Sequence, residues 1–182
     1  MCKFTKLSLA LAISLIVSGQ VFAAKIGVGA FWGKNIPIVQ QDASVDKLWG
    51  MKLILVPLSF VAIEPNFTYS GMGQASINLG GISQIRDGGQ IKSWGIDLLL
   101  GNFNSKFFHF FILGGIAASS IQKENLPDLN STGYTGGLGF ELTPVKSVGI
   151  EAMAKAALIP LQEGGAKDNL GISGGINFYF GL

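Results

Sequence analysis

The sequence is poor in the residues that most catalytic and metal sites require. It has one cysteine and one histidine in 182 residues, and charged residues make up only 13%. Cys2 lies within the predicted leader described below, so the mature chain has no disulfide, no thiolate nucleophile and no cysteine metal site. Lys and Arg number 13 against 11 Asp and Glu, which leaves no basic excess for binding nucleic acid.

The chain also lacks an apolar run long enough for a transmembrane helix, which takes about 20 residues. The apolar stretch Leu7–Val17 is interrupted by two serines, follows Lys3 and Lys6, and precedes the small-residue pattern Val21-Phe22-Ala23. These are the parts of a secretory signal peptide. We therefore expect a signal peptide over residues 1–23 and a mature domain over residues 24–182.

What the mature chain does have is glycine, 26 residues in the whole sequence, and apolar residues at every second position. Such alternation is typical of half-buried β-strands. It recurs in eight segments, each about as long as a tilted strand that crosses a bilayer. The segments are Lys25–Gly33, Lys47–Val56, Val61–Ser70, Ile91–Leu100, Phe107–Ala117, Gly133–Leu142, Val148–Leu158 and Leu170–Leu182.

The connections between these segments alternate in length. Short turns at Pro57–Phe60, Gly101–Lys106 and Thr143–Ser147 alternate with long loops, of which Gly71–Gln90 is glycine-rich and is interpreted as mobile. The other long loops are Lys34–Asp46, Ala118–Thr132 and Ile159–Asn169. This pattern predicts an all-β fold, an eight-stranded antiparallel up-and-down transmembrane β-barrel with both termini at the short-turn end. A bulge is expected at Pro65, whose nitrogen cannot donate to the ladder.

Aromatic residues fall at both ends of the predicted wall, as they do at membrane interfaces. One girdle is predicted at the long-loop end, from Trp32, Trp49, Tyr69, Trp94 and Tyr134. A second is predicted at the short-turn end, from Phe60, Phe108, Phe140, Phe178 and Phe180. The opposite face carries mostly Gly, Ser, Thr and Ala, which favours a membrane barrel over a lipocalin-like soluble barrel with its apolar face inside.

The last nine residues, Gly174–Leu182, resemble the carboxyl-terminal assembly signal of outer-membrane barrels, with Ile176, Phe178, Phe180 and Leu182 in alternation, although Leu182 stands in place of a terminal aromatic. Glu64–Tyr69 and Gly133–Glu141 are similar to segments of the outer-membrane β-barrel domain family of small OmpX/OmpA-type barrels. The resemblance implies a monomer in the outer membrane. Its partners would be outer-membrane lipid and the barrel-assembly machinery, and it implies no cofactor.

Seven polar residues on the small-residue face are predicted to form a belt inside the lumen: Lys52, Glu64, Asp97, His109, Glu141, Glu151 and Lys155. Equal distances from the turns place Asp97 opposite His109, Glu141 opposite Glu151, and Lys52 opposite Glu64. Neighbouring carboxylates repel unless a lysine or the histidine neutralises them. The belt is interpreted mainly as a structural plug, with a proton- or ligand-binding site as the alternative.

His109 has no inward serine beside it, so the nucleophile of a hydrolase is missing, and one histidine with scattered carboxylates is a poor metal site. We therefore expect neither an enzyme nor a metal. Two function classes remain: a structural or surface-interaction barrel with an occluded lumen, and a narrow pore or transporter for small or apolar solutes that pass through the lumen or a lateral gap. A lipid-modifying enzyme ranks third.

Overall fold

The computed structural model of the chain describes residues 25–38, 44–79, 82–86, 88–123, 127–161 and 165–180; within these ranges the side chains of residues 75–84 and 86 are left out. The predicted signal peptide and Leu182 lie outside the described residues. In the described part of the chain, no helix is long and apolar enough to cross a membrane.

The described residues form ten strands. In chain order they are β1 (Lys25–Pro37), β2 (Asp46–Leu58), β3 (Val61–Met72), β4 (Ala75–Leu79), β5 (Ile82–Arg86), β6 (Gly89–Gly101), β7 (Phe108–Gln122), β8 (Leu129–Val145), β9 (Val148–Pro160) and β10 (Ala166–Phe180).

Eight of these strands close into an antiparallel barrel. Each pairs with its neighbours in the order β1, β2, β3, β6, β7, β8, β9, β10, and β10 pairs back to β1 from Ile26 with Phe180 to Pro37 with Asn169. Closure leaves the barrel without an unpaired edge, which would be costly in lipid. The predicted eight-stranded up-and-down barrel is confirmed.

At the long-loop end the strands continue beyond the predicted segments. β7 runs to Gln122 and β8 starts at Leu129, inside the predicted loop Ala118–Thr132. The predicted loop Gly71–Gln90 likewise contains strands, because β4 and β5 form a two-stranded hairpin within it. Polar residues there continue the backbone ladder after the apolar alternation ends, since each strand still offers its neighbour a full set of donors and acceptors.

The expected bulge at Pro65 is also wrong. Lys52 pairs with Asn66 and Leu55 with Ile63, in the same register on both sides of Pro65, and the register shift lies between Leu55 and Leu58 near the turn. What the proline does remove is pairing: the ladder between β2 and β3 has no pairs at Glu64 and Pro65. A proline nitrogen has no hydrogen to donate, so the wall is locally weaker without changing register.

Alternate residues of every strand face opposite sides of the wall. The outward face is apolar along its length, with exposed side chains such as Met51, Ile96, Ile112, Leu138 and Ile172. A soluble protein rarely exposes a continuous apolar surface of this size, whereas a barrel in lipid requires one. The inward face is filled by side chains.

Two apolar clusters lie inside the lumen. The first, toward the short-turn end, contains Ile54, Val56, Ala62, Leu99, Phe111, Leu113, Met153 and Tyr179, with Phe103 of the β6–β7 turn packed against it. The second, toward the long-loop end, contains Met72, Ile91, Ile121 and Ile159. The second cluster therefore fills the lumen on the long-loop side of the polar belt. Residues of the first cluster pack beside the belt, since Phe111 follows His109 on β7 and Met153 follows Glu151 on β9.

Candidate functional site: a closed ion-pair belt in the lumen

All seven predicted belt residues face the lumen. They come from β2, β3, β6, β7, β8 and β9, and β9 contributes both Glu151 and Lys155. Six of them are buried, and the side chain of Lys155 is 17% exposed. The period of two along each strand explains this common orientation, because residues of equal parity on one strand share a face.

Lys52 connects three strands across the lumen. Its Nζ donates to Glu64 Oε2 at 2.9 Å and to both carboxylate oxygens of Glu151 at 2.7 Å. The three side chains are almost completely buried. A lone buried charge is strongly unfavourable, and here one ammonium neutralises two carboxylates that would otherwise repel each other.

Asp97 forms a second hub. Its Oδ2 accepts a hydrogen bond from Asn66 Nδ2 at 2.8 Å and forms an ion pair with Lys155 Nζ. Its Oδ1 accepts a hydrogen bond from Thr135 Oγ1 at 2.6 Å. Asn66 also contacts Lys155 through its amide oxygen, at 3.5 Å from Nζ. These charge-assisted bonds satisfy a carboxylate that is fully buried.

Glu141 forms the third hub, nearest the short-turn end. Its Oε2 accepts from the Tyr179 hydroxyl at 2.6 Å and from Asn177 Nδ2, and its Oε1 contacts His109 Nδ1 at 3.0 Å. Asn177 Nδ2 also donates to Glu151 Oε2 at 3.2 Å and so joins this hub to that of Lys52. The hubs of Lys52 and Glu141 therefore form one connected network.

Both ring nitrogens of His109 face acceptors. Nδ1 contacts the Glu141 carboxylate, and Nε2 lies 2.7 Å from the backbone carbonyl oxygen of Ser105. A carbonyl oxygen only accepts, so Nε2 donates to Ser105. Glu141 also receives hydrogen bonds from Tyr179 and Asn177, so His109 shares this carboxylate with two other side chains.

The predicted cross-strand partners are right in one case of three. Glu141 pairs with Glu151 on β9, as the sequence predicts. Asp97 does not lie opposite His109: its partner on β7 is Gly115, six residues further along the chain, and His109 pairs with Glu141 on β8. Lys52 lies opposite Asn66 rather than Glu64, although the long lysine side chain still reaches Glu64.

The physical reason for the register error lies in the β6–β7 turn. Its residues do not form a symmetric hairpin but bond to the neighbouring β2–β3 turn, where the Gly101 nitrogen donates to the Phe60 carbonyl and the Phe103 nitrogen to the Ser59 carbonyl. Counting equal distances from a predicted turn assumes symmetry, and register depends on the turn geometry. Contacts between turns decide it here.

Several partners of the belt were not predicted as site residues. They are the neutral groups that satisfy the carboxylates: Asn66, Thr135, Asn177 and Tyr179. Each occupies an alternate position of its strand that faces the lumen, and this position is the one feature of the sequence that indicates them. Nothing in sequence spacing tells which inward amide or hydroxyl reaches which carboxylate.

The lumen holds a small cavity on the long-loop side of the belt. Between the belt and the cluster around Ile91 lies a cavity with about 60 Å³ accessible to the centres of water molecules, lined by Ser70, Ser93, Ser119, Thr135, Lys155 and Ser173 among others. At roughly 10–15 Å³ for each molecule, this is room for about four to six waters.

The described contacts of the belt pair its carboxylates with lysines and with hydrogen-bond donors. The described hydrogen bonds of His109 join it to a carboxylate and a carbonyl, and none joins it to a hydroxyl that could act as a nucleophile. Among the described residues, no group of three or more His, Cys, Asp or Glu side chains is arranged to hold a metal ion.

The predicted girdle residues all lie on the wall or at its ends. At the long-loop end Trp32, Trp49, Trp94 and Tyr134 are exposed, and Trp49 stacks on Tyr69 with ring centroids 5.5 Å apart. The exposed aromatics at the short-turn end include the predicted Phe60, Phe108, Phe140, Phe178 and Phe180. Within the predicted assembly signal, Ile176, Phe178 and Phe180 face outward on β10.

Comparisons with known proteins identify the fold. No protein-family model and no curated protein matches the sequence. Among solved structures, the chain is similar to Neisserial surface protein A, with a TM-score of 0.61, 11% identity and coverage of 86% of this chain and 97% of that one. It is also similar to the amino-terminal β-barrel domain of Pseudomonas aeruginosa OprF, with a TM-score of 0.55, 12% identity and the same two coverages.

A third similar structure is Ail, the attachment invasion locus protein of Yersinia pestis, with a TM-score of 0.52, 10% identity and coverage of 87% of this chain and 99% of that one. These identities show a shared fold and no more. The apolar exterior described above is an independent property of this chain. Fold and exterior agree: the chain is a membrane-spanning, eight-stranded β-barrel of the type found in bacterial outer membranes.

Proposed function

We propose that this barrel acts as a closed structural or surface-interaction protein of the outer membrane and does not pass solute through its lumen. The observation that carries the proposal is the cross-lumen contact of Lys52 with Glu64 and Glu151, with one apolar cluster packed beside it and a second toward the long-loop end. Opening a path requires separating buried ion pairs, and breaking a pair by removing one partner costs roughly 3–5 kcal/mol.

Planar-bilayer conductance of the purified, folded barrel tests this. We expect no conductance steps from the wild type, with insertion established by the gel mobility of unheated against boiled samples. Lys52→Ala and Glu64→Ala serve as reporters of any lumen current. Steps in the wild type whose amplitude changes in either variant would overturn the closed-lumen proposal.

The second candidate function, a narrow pore or transporter, is favoured by the water-sized cavity above the belt and by the partial exposure of Lys155 toward it. It requires movement of the Ile91 cluster and of the belt. The same conductance measurement separates a closed barrel from a pore, since a pore that opens transiently still produces discrete current steps.

The surface role is supported by the β4–β5 hairpin, which extends the chain beyond the barrel strands at the long-loop end. Trypsin added to intact cells tests the orientation, since Arg86 and Lys123 lie at that end. Cleavage at these two sites in intact cells supports loops that face the outside. Cleavage only after the cells are opened would place the long loops inside and would contradict a surface role.

A further inference from the structure

The outer wall carries a groove that crosses from a polar end into an apolar channel. Its polar end is lined by Lys92, Ser120, Asn130 and Thr132, beside Phe67 and Trp94, and has a volume of about 630 Å³. Its apolar part has a volume of about 830 Å³ and is lined by Met51, Leu53, Pro65, Ile96 and Ile116, again with Phe67 and Trp94. The two parts share Phe67, Trp94, Ala118 and Thr132 and are therefore continuous.

Strand register explains why the wall is concave at this place. Trp94 pairs with Ala118, and Ala118 pairs with Thr132, so a methyl group separates a large ring from a short polar side chain on the outward face. Trp94 is 69% exposed and leans on Phe67, with ring centroids 4.8 Å apart. The small Ala118 side chain leaves a notch beside that raised aromatic pair.

The channel continues from the notch toward the middle of the wall, where Pro65 pairs with Ile96 and Ile96 with Ile116. From Lys92 to Ile96 is four residues, or roughly 13 Å along the strand at ~3.3 Å per residue. Over that length the outward side chains change from an ammonium, two hydroxyls and an amide to apolar groups, and the inward-facing Lys52 and Asn66 also border the apolar part.

We propose that this groove binds one lipid molecule that carries a phosphate headgroup, with the phosphate at Lys92 and an acyl chain along Pro65 and Ile116. Charge complementarity selects this occupant: Lys92 provides the only charge among the described residues that line the polar end. Ser120, Asn130 and Thr132 offer hydrogen bonds to the headgroup oxygens. The position beside Trp94 fits, because tryptophan is enriched at the level of lipid headgroups.

Native mass spectrometry of the folded barrel in detergent tests the proposal with three probes. These are dioleoyl phosphatidate, dioleoylglycerol as the same chains without phosphate, and glycerol 3-phosphate as a phosphate without chains. We expect a one-to-one adduct with phosphatidate only. The proposal is that the site recognises phosphate and acyl chain together. Adducts with both dioleoyl lipids at equal occupancy, or with glycerol 3-phosphate alone, would overturn it.

Two variants locate the site, and each has a matched control. Lys92→Gln removes the cation, and Lys34→Gln makes the same charge change at an exposed lysine on β1 outside the groove. Ala118→Trp fills the notch, and Ala156→Trp adds the same ring at an exposed outward position on β9. Lys92→Gln and Ala118→Trp should lose the adduct while both controls keep it, with folding of all four shown by gel mobility.

Equal adduct occupancy in all four variants would mean that phosphatidate binds the wall non-specifically, and the proposal would be wrong. Ala118→Trp adds an apolar ring to a face that already contacts lipid, so we expect this variant to fold. Its result does not depend on whether Lys92→Gln is stable, so loss of the adduct in each variant is an independent measurement of binding to the groove.

Discussion

Lys52 on β2 and Glu151 on β9 are joined by two hydrogen bonds of 2.7 Å across the lumen, although their strands are not neighbours in the barrel. The contact links opposite walls through side chains alone. Backbone ladders connect each strand only with the next, so this ion pair is one of the features that make the interior solid rather than hollow.

Replacing Lys52 with Met should therefore destabilise the barrel strongly. The change leaves Glu64 and Glu151 buried without their shared cation, and we expect the free energy of unfolding to fall by roughly 3–5 kcal/mol. Urea unfolding of the barrel in lipid vesicles, followed by tryptophan fluorescence, measures the change. Lys47→Met, at an exposed position on the same strand, is the control and should stay within about 0.5 kcal/mol of wild type.

Adding Glu151→Gln to Lys52→Met should recover part of the loss, because it removes one of the two unpaired carboxylates. If Lys52→Met had the same urea midpoint of unfolding as the wild type, the ion pair would not stabilise the barrel.

Two strand glycines should respond differently to alanine. A Cβ at Gly149 would overlap the carboxylate of Glu141, which its hydrogen bonds hold in place, whereas the nearest atom to a Cβ at Gly136 is 3.9 Å away. We expect Gly149→Ala to lower the free energy of unfolding by about 1–3 kcal/mol, as overpacking does, and Gly136→Ala to have little effect. Equal midpoints in the same urea assay would argue against the assigned position of Glu141.

The orientation of the two faces can be tested with arginine. Leu138 faces outward between the two girdles, while Leu158 on β9 faces outward at the long-loop girdle, paired with Tyr134. For a wall in lipid, Leu138→Arg should cost roughly 2–4 kcal/mol and Leu158→Arg about 0–1 kcal/mol. Both residues are half-exposed, so in a water-soluble barrel neither change would matter. Similar small effects at both sites would therefore refute the lipid-facing assignment.

His109→Phe should destabilise the short-turn end of the belt. The change removes the contact with Glu141 and the hydrogen bond to the Ser105 carbonyl, and a buried group that loses its hydrogen-bond partner costs about 1–3 kcal/mol. His109→Gln, which keeps a donor at one end, should lose less. The test is the thermal midpoint of the folded band on unheated gels, and an equal loss for Phe and Gln would show that volume rather than hydrogen bonding matters at this site.

Most of the architecture was predictable from alternation alone. A strand with one face toward lipid and one toward a narrow lumen must alternate, so the apolar faces, the inward placement of Lys52 or Glu141, and the barrel order follow from period and loop lengths. The bulge at Pro65 was not predictable, because one proline can be absorbed either as a bulge or as missing ladder pairs without a register change.

The sequence by itself determined the number of barrel strands, the face of each of their residues and the inventory of charges inside the lumen, because these depend on a local period of two. Only the tertiary structure decided the partners: Asp97 with Lys155, His109 with Glu141, and Lys52 with Glu151. Partners depend on strand register and on which inward positions meet across the lumen. Those are set by contacts between turns, such as Phe103 with Ser59, and by closure of β10 on β1, neither of which leaves a local pattern in the chain.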